Sequence, residues 1–88
     1  MAQFLITFTR YYTRKGSPRV YCSSISHLRP IRLRSADVPQ ARKEFLRKVG
    51  KLRDRARTRK RQTTRYYVDM EEQIGKKQVL ITSTTLHL

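Results

Sequence analysis

Only six of the 88 residues are acidic, against 21 Lys and Arg, and the first acid, Asp37, comes more than a third of the way along the chain. The one cysteine, Cys22, excludes an intrachain disulfide and a cysteine metal cluster, and fits a reducing compartment. Gly16, Gly50 and Gly75 stand isolated, so there is no Gly-rich phosphate loop. His27 and His87 are far apart, and neither has a Cys, Asp or Glu at metal-ligand spacing, so no metal and no cofactor is expected. The only adjacent carboxylates, Glu71 and Glu72, would diverge in a strand or turn, which argues against an acid–base or Mg²⁺ pair. No apolar run approaches the roughly 20 residues needed to span a bilayer. The acid-free stretch to Ala36 has the composition of an organelle transit peptide, but it alternates as a strand does, and that reading is set aside. Without a catalytic constellation the chain is expected not to be an enzyme. The leading enzymatic alternative is a metal-free ribonuclease using Arg65, Tyr67 and His87.

The apolar residues make up 38% of the chain and fall in patterned segments, as a modest core requires. In Gln3–Tyr12, Phe4, Ile6 and Phe8 share one face of a period-two pattern, which predicts a strand with that face inward. Arg14–Pro18 carries turn chemistry, and Arg19–Ile25 resumes extended structure, with Val20 and Cys22 on the core side. These two strands should form a hairpin. Ile31–Arg34 reads as a short third strand, or as a continuation of the second across a bulge.

The helix signal is the strongest. Asp37 is an N-cap with Gln40 three residues on, and Pro39 is tolerated in the first turn. Val38, Ala41, Phe45, Val49, Leu52 and Ala56 then recur at steps of three and four, predicting one helix from about Val38 to about Thr58 that runs through Gly50. Gln62–Met70 alternates again, with Thr64, Tyr66, Val68 and Met70 on one face and Arg65, Tyr67 and Asp69 opposite. Glu71–Lys77 reads as a polar turn, and Gln78–Leu88 as the last strand. The expectation is a single α+β domain over 1–88, strand order β-β-α-β-β with four or five antiparallel strands and one long basic helix on one face.

Arg47–Arg61 reads RKVGKLRDRARTRKR, with nine cations and one acid in fifteen residues. Residues 31–65 carry a net +11, whereas Tyr66–Leu88 has two cations and three acids. Cations packed this densely repel one another unless an anion is bound, and a polycation that releases condensed counterions gains affinity for nucleic acid without base contacts. Arg outnumbers Lys by 14 to seven, which suits bidentate phosphate contacts and stacking. The residues expected to bind are Arg47, Lys48, Lys51, Arg55, Arg57, Arg59, Lys60 and Arg61 from the helix and the loop after it. Arg65 and Tyr67 join them from a strand face that could stack unpaired bases. DNA and RNA are not distinguished.

Two further partners are weighed. The near-neutral hairpin 66–88 could be a protein or homodimer surface by strand addition, as in an inhibitor or adaptor that binds an acidic surface of a host nucleic-acid-handling protein. A structural component of a ribonucleoprotein is the other. In class the chain resembles small Arg-rich α+β products of phages and mobile elements and ribosome-associated proteins, though no motif carries that resemblance. The setting expected from such partners is intracellular, cytoplasmic or nucleoid-associated.

Overall fold

Alternation of β-branched and aromatic residues makes Ala2–Thr13 a twelve-residue strand, β1, with Phe4, Ile6 and Phe8 buried on one face. The structure, a computed structural model, describes residues 1–22, 28–57 and 64–88. β1 turns back through Arg14–Ser17, closed by a bond from the Ser17 amide to the Arg14 carbonyl at 3.1 Å. Gly16 sits at the third turn position with φ 81°, which a side chain would disfavour. The chain then returns as β2 (Val20–Cys22), pairing antiparallel with Tyr11–Thr13.

β3 (Ile31–Ser35) pairs with the other end of β1, Ala2 to Ile6, on the same side as β2. The two short strands therefore share one edge of β1, but eight residues separate β2 from β3 where only four separate their partners on β1, more than a bulge inserts, so they are separate strands and not one strand continued across a bulge. Ser23–His27, between them, lie outside the described residues.

The helix α1 runs Val38–Arg57 without a break at Gly50. Asp37 caps it: the Gln40 amide donates to Asp37 Oδ1 at 2.9 Å, and the Ala41 amide donates to the Asp37 carbonyl at 3.1 Å. Ala41, Phe45 and Val49 are buried against the Phe4/Ile6/Phe8 face, with Val38 and Leu52 packed beside them. β4 (Arg65–Ile74) and β5 (Lys77–His87) complete the sheet in the order β2-β1-β4-β5, all antiparallel, with β3 also on β1. Tyr66, Val68, Met70 and Leu86 supply the rest of the core.

Three expectations are corrected. Glu71–Ile74 belong to β4 rather than to a turn, because Glu71, Glu72 and Gln73 pair with Leu5, Phe4 and Gln3 of β1. The turn contracts to Gly75-Lys76, with Gly75 at φ 60° in the position that a two-residue hairpin of type II′ reserves for glycine. Cys22 is exposed, not a buried small hydrophobe, and Val20 is half exposed. The register pairs Cys22 with Tyr11 and Val20 with Thr13, so these two residues of β2 lie on the face of the sheet away from α1.

The helix crosses its face diagonally. It starts directly after β3, packs on β3 and β5, and Arg53 near its end reaches Thr84 and Thr85 of β5. Among the described residues, a diagonal rod leaves two opposite corners of that face outside the area it covers. At one lie Ile74 and Val79, about half exposed; at the other lie Arg10, Tyr12 and Tyr21. The described residues measure 45 × 30 × 19 Å, a short dimension set by one sheet and one helix layer, with the back of the sheet uncovered.

Candidate nucleic-acid interface

Seating Ala41, Phe45 and Val49 on the sheet fixes the rotation of α1 and turns its cations outward. Arg42, Lys43, Arg47, Lys51, Arg53 and Arg55 are exposed, and Lys48 is half-buried at the flank. The helix carries eight cations and two acids over 20 residues, about 30 Å of axis. Glu44 receives Arg47 Nη2 at 2.7 Å. That hydrogen bond, then the charges of Arg47, Lys48 and Lys51, holds the Glu44 carboxyl below the usual carboxylate range. The pair is an i, i+3 contact at the surface and contributes little to stability. Its effect is local: it offsets one cation of the row.

The ten residues expected from the sequence do not share one surface. Arg47, Lys51 and Arg55 lie on the outer side of the helix, and Arg57 is its last residue. Arg59, Lys60 and Arg61 lie outside the described residues. Arg65 and Tyr67 are exposed on the back of the sheet, because their neighbours Tyr66 and Val68 are the core-facing residues of β4. The sheet separates the two groups.

Cross-strand rungs organise that back face. One reads Cys22, Tyr11, Arg65, His87 across four strands; the next brings Thr9, Tyr67 and Thr85 together. Arg65, Tyr67 and His87, distant or merely neighbouring in sequence, thus meet on adjacent rungs. Further down, Asp69 and Glu71 occupy the middle of the face, and Arg32, Arg34, Gln3, Gln73 and Gln78 line a shallow cleft of about 430 Å³ at the far end. The two carboxylates interrupt any continuous cationic track along the back.

Of the tyrosines, only Tyr67 is among the residues expected from the sequence to bind. Tyr11 and Tyr67 stack on the back face, with ring centroids 4.1 Å apart and planes at 17°. Tyr12 and Tyr21 stack on the helix side, 5.5 Å apart at 18°, and the Arg14 guanidinium lies 4.8 Å from the Tyr21 centroid. Tyr11 and Tyr12 are consecutive, so alternation sends one to each face of the same sheet end. The signal was available in the pairing of Tyr-rich segments, but its register is a long-range property that the local pattern does not fix.

Among the described residues, no three His, Cys, Asp or Glu side chains converge as a metal site would require. No described helix is long and apolar enough to cross a membrane. No protein-family model, no curated protein and no solved structure matches the chain.

Proposed function

We propose that this protein is a non-enzymatic, intracellular nucleic-acid-binding protein that engages phosphate backbone through the outer face of α1 and the basic segment that follows it. The observation that carries the reading is the placement of Arg47, Lys51 and Arg55 along one exposed side of a helix whose other side is locked into the core. A rigid row of cations spanning about 12 Å of helix axis neutralises successive phosphates without needing base contacts, so the binding is backbone-dominated. The polarised charge supports it too: the near-neutral hairpin lies on the sheet, while the helix layer is strongly basic. A panel of duplex DNA, duplex RNA and single strands titrated at several salt concentrations tests the reading and decides which polymer is preferred. Absence of salt-dependent binding to every member would overturn it.

One observation favours a second partner, a protein. From Gln78 to Leu86, β5 carries no charged residue and no proline, and among the described residues it pairs with β4 alone. Ile74, Val79 and Leu80 are exposed by 54%, 45% and 59% around the hairpin tip. An uncharged edge strand beside an apolar tip is suited to strand addition by a second copy or by another protein. An adaptor or inhibitor of a nucleic-acid-handling protein, of the kind found among phage and mobile-element products, would use both surfaces. So would a ribonucleoprotein component.

A further inference from the structure

We propose that the tyrosine corner of the sheet, built from Tyr11, Tyr12, Tyr21 and Tyr67 with Arg14 and Arg65, binds unpaired bases of a single-stranded nucleic acid. The inference rests on the nucleic-acid reading above and names a ligand class for a surface separate from the helix row.

Four of the five tyrosines gather at one end of the sheet, and only Tyr66 is committed to the core. The two stacked pairs stand outside the area that α1 covers, one on each face, because the diagonal helix does not reach this corner. Tyr12 remains 40% exposed and Tyr67 36%, so each pair retains accessible aromatic surface. The rings are already ordered by their cross-strand partners, so little side-chain freedom is lost when a base stacks on them.

The charges on the β1–β2 side of the corner are of one sign, and the nearest carboxylate on the back face, Asp69, lies one rung below Tyr67. Between Arg10 and Cys22 the chain has four cations, Arg10, Arg14, Lys15 and Arg19, and no acid. Arg65 stands directly opposite Tyr11 on the neighbouring strand. A small cleft of about 210 Å³ at the end of β1 is lined by Tyr11, Tyr12, Thr13 and Arg65. A stacking surface flanked by guanidinium groups meets both needs of a single strand: its bases find π-faces and its phosphates find cations. A duplex, with its bases already stacked, gains only the second. An acidic protein would gain the charge but would leave the tyrosine faces without use.

The test uses the full chain, labelled oligothymidylate of about 12 nucleotides, a length within the span a stacking surface covers, and a duplex of similar length. Because the chain has no tryptophan, its intrinsic fluorescence comes from tyrosine. Oligothymidylate should quench that emission more than the duplex does at equal saturation. Tyr12→Leu and Tyr67→Leu should each weaken oligothymidylate binding by about tenfold, the loss of one stacked base, and leave duplex affinity unchanged. Tyr67→Phe keeps the ring and should keep the affinity. Equal quenching by both polymers, or equal losses on both, would overturn the proposal even if the Leu variants prove too unstable to assay fully. Lys51→Gln with Arg55→Gln should weaken duplex binding. If that variant behaves as expected while the tyrosine variants change nothing, the corner is not a site and the backbone reading stands. If the parent protein binds neither polymer, both readings fall.

Discussion

Arg53 Nη2, projecting from the helix, donates to the main-chain carbonyl of Thr85 at 2.9 Å and lies 3.3 Å from Thr84 Oγ1. Thr64 and Leu88 exchange two main-chain bonds, so by antiparallel alternation it is Ser83, Thr85 and His87 whose backbone groups point away from β4. Arg53 therefore occupies an outward carbonyl of the open edge and blocks part of it against a partner strand.

Removing that guard should promote association through β5. Arg53→Ala should shift the protein from monomer toward dimer in high salt, where repulsion between copies is screened, with a stability loss of about 1 kcal/mol. Size exclusion with light scattering reads the mass. A variant that remains monomeric at every concentration would show that Arg53 does not guard the edge.

Phe45 is 1% exposed at the centre of the helix–sheet contact. Phe45→Ala should cost about 3–5 kcal/mol, a large share of the stability of a domain this small. Thermal unfolding followed by circular dichroism measures it, and an unchanged midpoint would show that the helix is seated on another face.

Gly50 lies inside α1 with an ordinary helical φ, and an added Cβ would meet nothing within 4 Å. Gly50→Ala should therefore stabilise by about 1 kcal/mol and raise the midpoint by about 4–8 °C. A lower midpoint would mean that the glycine serves a bend the helix needs.

Glu44 ties up Arg47 in the binding row. Its carboxyl is held low in the folded state, so the pair's contribution is present above the unfolded carboxylate pKa and is lost as pH falls through the lowered value. Glu44→Gln should abolish that acid dependence. At neutral pH it should tighten duplex binding and steepen the salt dependence by about one phosphate equivalent. Unchanged duplex affinity in Glu44→Gln would remove Arg47 from the interface.

The fold was legible where period and phase are strong: Phe4/Ile6/Phe8, and the helical stripe from Val38 to Leu52 with its Asp37 cap. It was least legible where polarity imitates a turn. Glu71, Glu72 and Gln73 lack strand propensity, yet pairing with β1 and β5 on both sides holds them extended, an override of local preference by sheet context. The helix part of the candidate site follows from the same stripe, since residues that cannot face the core must face out. That Arg65 and Tyr67 stand across the sheet from Arg55 was implicit in the alternation of β4. The pairing of Tyr12 with Tyr21 and the stacking of Tyr11 on Tyr67 depend on strand registers that no short segment encodes.

The central claim, that cations on α1 neutralise a phosphate backbone, is tested most directly by the salt dependence of duplex affinity in Lys51→Gln/Arg55→Gln beside the parent. Glutamine keeps helix propensity and removes two charges. Each phosphate neutralised contributes a log–log slope of about −0.9, so the slope should shrink in magnitude by about 2, and affinity should fall alike for all sequences. A double variant with the parent's affinity and the parent's slope would contradict the account and leave the outer face of the helix a merely solvated one.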